Sequence, residues 1–102
     1  MKKEQLPEYL KPAYDIFVKE LSQHLTEMKQ ISLERLSDSE CRASISRRFH
    51  TIKGGAGFLS LNEIADCSDD AEKSFKSDLA LEDYEKKLFQ ALSILEQEHL
   101  KL

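Results

Sequence analysis

Apolar residues in the first third of the chain recur at intervals of three and four. Tyr14, Phe17, Val18, Leu21, Leu25 and Met28 form one stripe, the spacing of a helix that buries a single face. Pro12 stands at its start or marks a bend, because an interior proline removes a hydrogen bond and clashes with the preceding turn. Leu6 to Leu10 fits a short extra turn of helix before it, with a boundary that spacing does not place. A second stripe, Cys41, Ile45, Phe49, Ile52 and Ala56, follows Ser37-Asp38-Ser39-Glu40. That tetrapeptide matches a Ser-x-x-Glu capping box, with Leu36 and Cys41 as its hydrophobic staple. Ser60-Leu61-Asn62-Glu63 repeats the pattern, with Leu59 and Ile64 as the staple, and predicts a third helix. Its inner face would carry Leu61, Ile64, Ala65, Ser68, Ala71 and Phe75, and Ser77 or Asp78 would end it. A fourth stripe runs through Leu81, Tyr84, Leu88, Ala91, Leu92, Leu95 and His99. Strand-like alternation is missing. The pattern predicts an all-α, antiparallel four-helix bundle, one domain over residues 1–102.

Composition narrows the function. A chain of 102 residues supports one modest core. Its net charge of −4 lacks the basic surface that nucleic acid requires. No apolar stretch approaches the ~18–20 residues that span a membrane, and Met1-Lys2-Lys3-Glu4-Gln5 leads into no apolar run of the signal-peptide kind. Cys41 and Cys67 fall at apolar helix positions and read as reduced thiols of a cytoplasmic protein. His24 and His99 have no supporting neighbours, and the histidines and cysteines lack zinc-site spacing. Neither a metal nor a cofactor is expected. Met1 close to the first helix and Leu102 at the end of the last favour a free-standing protein.

The glycines change the picture. All three lie in His50-Thr51-Ile52-Lys53-Gly54-Gly55-Ala56-Gly57, inside the second helix. Each costs a helix roughly 1 kcal/mol relative to alanine, so stability does not explain them. His50 lies on the flank of the apolar stripe and shares its face with Ser46, Gly54 and Gly57. Small residues there bare the surface beside an imidazole and let another macromolecule reach the ring. Gly55 is the one of the three best explained by packing. Lys53 at i+3 and Arg47 at i−3 place cations beside the ring, which favours neutral imidazole, the form with a nucleophilic lone pair.

Such a histidine needs its second nitrogen held as a donor, usually by a carboxylate. If the chain reverses at Ser60, facing positions in the helical hairpin have numbers that sum to roughly 120. Asp69, Asp70 and Glu72 then come level with His50. Glu72 has the longer reach and adjoins the inner Ala71, which favours it; spacing leaves Asp69 open.

These residues carry a resemblance. His50-Thr51-Ile52-Lys53-Gly54-Gly55-Ala56-Gly57-Phe58-Leu59 resembles the phosphoacceptor motif of histidine-containing phosphotransfer domains. The Gly-Gly-Ala-Gly variant is most similar to the N-terminal phosphotransfer domain of chemotaxis histidine kinases. Glu72 falls where that family carries the carboxylate that bonds the histidine. Two departures, Ser60 for a common glycine and Ala71 for a larger apolar residue, bear on packing. The resemblance implies a monomeric phosphoryl carrier without kinase activity of its own. His50 would take phosphoryl from a histidine kinase or a receiver domain and pass it to a response-regulator aspartate. Lys53 would offset the phosphoryl charge, and Ser46, Arg47, Gly54 and Gly57 would meet the partner. Mg²⁺ would belong to the receiver domain, and neither nucleic acid nor membrane is implied as a partner. Two alternatives stand beside this reading: a phosphodonor domain of a larger chemotaxis-type kinase, and a helical adaptor that binds kinase or receiver domains unphosphorylated.

Overall fold

The computed structural model describes residues 3–102. Four α-helices carry the architecture: α1 (Lys11–Lys29), α2 (Ser39–Phe58), α3 (Asn62–Lys76) and α4 (Leu81–Leu100). Short 3₁₀ turns at Lys3–Gln5 and Glu8–Leu10 precede α1, and another at Leu33–Ser37 leads into α2. Among the described residues there is no strand. The bundle measures 44 × 21 × 19 Å. Its most extensive packing is between α2 and α3, with α4 laid against α3 and α1.

The stripes read from spacing are the core. Phe17, Leu21, Leu25 and Met28 from α1 meet Ile45, Phe49, Ile52 and Ala56 from α2 in one buried cluster. Ile64, Ala71 and Phe75 of α3 and Leu88, Ala91, Leu92 and Leu95 of α4 complete it. Phe49, Phe75 and Tyr84 stack in series, with centroids 6.2 and 5.5 Å apart. Pro12 lies in the first turn of α1, where its missing N–H has no intrahelical acceptor to lose. Val18 is only half-buried, and Leu81, in the first turn of α4, is exposed. The Ser68 hydroxyl is buried without a hydrogen-bond partner among the described residues. Cys41 is buried, Cys67 half-buried, and both are free thiols; burial pushes the Cys67 thiol up. His99 Nε2 donates to the Val18 carbonyl at 3.3 Å, while His24 Nδ1 accepts from Arg48 Nη1 at 3.1 Å. Among the described residues no helix is long and apolar enough to cross a membrane.

Both capping boxes need correction. Asp38, not Ser37, caps α2: its carboxylate accepts from the Glu40 N–H at 3.1 Å. Ser37 instead donates its hydroxyl to the Glu34 carbonyl, inside the preceding 3₁₀ turn. Ser60 is not a cap of α3 at all. It has φ 60° and closes α2: the Leu61 N–H reaches the Ala56 carbonyl at 2.8 Å, and the Ser60 N–H reaches Gly57 at 3.2 Å. This pair of bonds is a Schellman ending, in which the left-handed position is the usual place for glycine. Leu61 and Ala56, the positions whose apolar side chains usually meet in such an ending, are both buried. Sequence spacing could not choose between the end of one helix and the start of the next, because the two are separated by only three residues, Leu59 to Leu61.

That geometry carries a prediction. An L-residue in the left-handed region costs roughly 1–2 kcal/mol, and glycine returns part of this through its freer unfolded chain. Ser60→Gly is therefore expected to raise stability by about 0.5–1 kcal/mol. Urea midpoints of the two proteins check it. A less stable glycine variant would mean that the Ser60 side chain holds the turn.

Candidate functional site

The α2–α3 hairpin builds the site. Phe49 is fully buried and anchors α2, so the next residue, His50, projects from the flank. Its side chain is 67% exposed. Facing it from α3 is Glu72, whose side chain is only 4% exposed. His50 Nδ1 lies 2.9 Å from Glu72 Oε2. Asp69, the other carboxylate left open by spacing, turns instead to Lys53 and Lys73, at 3.2 and 3.0 Å.

A buried carboxylate needs several donors, and Glu72 has three. Lys53 Nζ donates to Oε1 at 2.6 Å, Lys76 Nζ to Oε2 at 2.8 Å, and the histidine ring shares Oε2. The Lys53 ammonium, then that of Lys76, holds the Glu72 carboxyl down to about 2; burial opposes them, and His50 adds to the lowering. Glu72 in turn, with Asp69 second, pushes the Lys53 ammonium up. Glu72 is thus ionised at neutral pH. An ionised carboxylate only accepts, so the proton of His50 must sit on Nδ1. The lone pair is left on Nε2, at the exposed edge of the ring. One carboxylate sets both the orientation and the tautomer.

The expected site residues divide. His50, Lys53 and Glu72 come together. Lys53 reaches Glu72 and Asp69 rather than standing free beside the ring. Ser46 departs from expectation: spacing puts it on the bare face, yet it is buried at 3% exposure. Its hydroxyl donates to the Glu72 backbone carbonyl at 3.3 Å, so α3 packs over it and it holds Glu72 level with the ring. Arg47 is exposed.

The three glycines also divide. A Cβ at Gly54 or Gly57 would meet nothing within 4 Å, whereas one at Gly55 would fall 2.7 Å from Phe17 Cδ1. Gly55 lets α1 close on α2. Gly54 and Gly57 leave open surface on the same face as His50. On the Gly55 side of α2, Phe58 is 66% and Ile16 of α1 58% exposed. With Ala13, Phe17 and Leu59 they line a hollow of about 210 Å³.

Two participants escaped the sequence reading. Lys76 is the second cation on Glu72, legible in principle as its i+4 neighbour. Phe58 lies off the inward stripe, a sign of exposure that spacing does carry. Among the described residues no group of three or more His, Cys, Asp or Glu side chains is placed to hold a metal ion.

The depressed Glu72 carboxyl links the site to stability. In the unfolded chain this group titrates near 4.5; in the folded protein it titrates near 2. Its contribution is whole above the first value and is lost as pH falls through the second. Glu72→Gln is expected to be less stable than the parent at neutral pH. The gap should narrow as pH falls from 4.5 toward 2. Urea midpoints of both proteins across that window test this, and a gap independent of pH would contradict it.

The site is a surface histidine with a fixed tautomer, a buried carboxylate behind it and bare backbone beside it. Such an imidazole can attack an electrophile presented by another molecule. Comparisons with curated proteins and with solved structures returned no match. The family model described as the Hpt domain matches residues 13–99, from the first turn of α1 to the last turn of α4. The protein therefore belongs to the Hpt domain family, the histidine phosphotransfer modules of phosphorelay signalling.

Proposed function

We propose that His50 Nε2 is the phosphoacceptor, loaded by a histidine kinase or a phosphorylated receiver domain and unloaded onto a response-regulator aspartate. The observation that carries this is the exposed ring whose Nδ1 is held by buried Glu72 at 2.9 Å. In the forward step the Nε2 lone pair forms the N–P bond while the P–O bond to the partner's leaving oxygen breaks. That oxygen departs with the electron pair. The proton stays on Nδ1, so the ring becomes cationic as the bond forms. Glu72 lies where that charge develops and offsets it. In the return step the aspartate oxygen attacks phosphorus and the imidazole leaves neutral.

Lys53 Nζ, held at 2.6 Å from Glu72, lies one helical turn from His50 and can offset the phosphoryl charge. The partner contributes Mg²⁺, and docking supplies the alignment that converts the transfer into an intramolecular event. Gly54 and Gly57, with Arg47 and the exposed Ile16 and Phe58, form the face on which that partner sits. The chain acts as a cytoplasmic monomer, a carrier without kinase activity of its own.

The test is a labelling profile. With ATP and Mg²⁺ alone the pure protein is expected to stay unlabelled. With an active histidine kinase or a phosphorylated receiver domain it is expected to gain label at His50 and pass it on. Autophosphorylation would overturn the carrier reading, and silence across a full panel of kinases and receivers would favour the adaptor.

A further inference from the structure

The first half of α2, the end of α3 and the start of α4 enclose an open cleft of about 430 Å³. Its floor is aromatic, formed by Phe75 and Tyr84, whose rings stack at 5.5 Å. Its rim is cationic. Arg42, Arg47 and Lys76 line it together with a single carboxylate residue, Asp78. This local excess stands against a chain whose net charge is −4.

The cations are not used up by the fold. Arg42 Nη1 donates to the Leu36 carbonyl at 2.9 Å, and the guanidinium lies 4.9 Å from the Tyr84 centroid. Those contacts fix the fork but leave most of its five N–H donors free. Lys76 is tied to Glu72 through one of three N–H groups. The Arg47 guanidinium has no partner among the described residues. A fixed guanidinium and a free one on the same cleft suit planar carboxylates, which arginine binds in bidentate fashion.

The cleft adjoins the phosphotransfer site through Ser46, Arg47 and Lys76. Arg47 lies one turn from His50, and Arg42 stands about 12 Å away along the helix axis. Lys76, on its rim, bonds the same Glu72 oxygen that holds the His50 ring. A protein seated over His50 therefore has this cleft within reach of its own side chains.

We propose that the cleft is a docking pocket for an acidic segment of the phosphotransfer partner, whose carboxylates pair with Arg47 and Arg42. The inference rests on the phosphotransfer reading of His50. Charge complementarity defines the occupant: carboxylate side chains on a protein surface, entering an open, cation-rimmed cleft beside the reacting ring.

Steady-state transfer from a phosphorylated receiver domain that labels the wild-type chain tests it. Arg47→Glu is expected to raise KM about tenfold, and Arg47→Lys much less. Asp78→Lys removes the one acidic residue of the rim, and KM is expected to fall severalfold, a gain that misfolding cannot imitate. Raising NaCl from about 50 to about 500 mM should shrink both effects. If KM stays within about twofold for Arg47→Glu and Asp78→Lys alike, with wild type labelled, the docking pocket is overturned and the phosphoacceptor reading survives. Failure of every kinase and receiver to label wild type overturns both.

Discussion

Substitution of His50 by glutamine is expected to abolish incorporation of acid-labile, base-stable phosphate from any kinase or receiver that labels the parent. Glutamine can still donate an N–H toward Glu72, but it has no nitrogen lone pair able to attack phosphorus. The loss should be complete, because the other two histidines are engaged elsewhere in the bundle, with Arg48 and with the Val18 carbonyl. Folding should hardly notice. The ring is 67% exposed, and Glu72 keeps both lysine donors when it goes. A stability change of no more than about 1 kcal/mol is expected, the usual size of one net hydrogen bond. Helical content and the urea midpoint measure the second half of the claim. Residual labelling of this kind in the glutamine variant would move the acceptor to another residue.

Long side chains at Gly54 or Gly57 are expected to have the next largest effect, and it should separate function from stability. At neither position would an added Cβ come within 4 Å of a packed neighbour outside the helix's own local backbone. Alanine at Gly54 should accordingly stabilise α2 by about 0.5–1 kcal/mol, the difference in helix propensity. The gain at Gly57 should be smaller, since it lies in the last turn. Gly54→Glu and Gly57→Arg should likewise fold. Both would place a long charged chain where a partner must approach His50, and a shift of even an ångström at the reacting atoms is costly to transfer. Transfer from a phosphorylated receiver is expected to fall at least tenfold in each variant, with melting temperature unchanged or raised. Gly55→Ala is the internal control. Its Cβ would press on the Phe17 ring at 2.7 Å, so it should lower stability first. Normal transfer by both the Gly54→Glu and the Gly57→Arg variants would remove these glycines from the docking face.

The four stripes were legible because a helix with one buried face must repeat its apolar residues every three or four positions. Ile45, Phe49, Ile52 and Ala56 are as buried as their spacing requires. The glycine run beside His50 was equally legible, since three glycines inside a helix carry an energetic cost, and packing accounts for Gly55 alone. Pairing His50 with α3 followed from the place where the hairpin reverses, and the family resemblance pointed to the same Glu72.

What only tertiary structure decided lies wherever one backbone position has two uses. Ser60 and Ser37 carried cap-like patterns, yet the left-handed turn closing α2 and the 3₁₀ turn before it claimed them. Ser46 shares a helical face with His50, but α3 lies over that part of the face and buries it. Helical spacing places a residue on a side; only the neighbouring helix decides whether that side is covered. Glu72 and Asp69 stand three residues apart, nearly equivalent in sequence. Packing of α3 on α2 buries Glu72 beneath His50, where it also takes Lys53, and leaves Asp69 half-buried between Lys53 and Lys73. Gly55 was taken by the ring of Phe17, a contact between residues 38 positions apart, while Gly54 and Gly57 stayed open. The local sequence specified the helices and the reactive residue; which of its neighbours are covered was decided by packing between helices, because contacts between distant segments have no period to read.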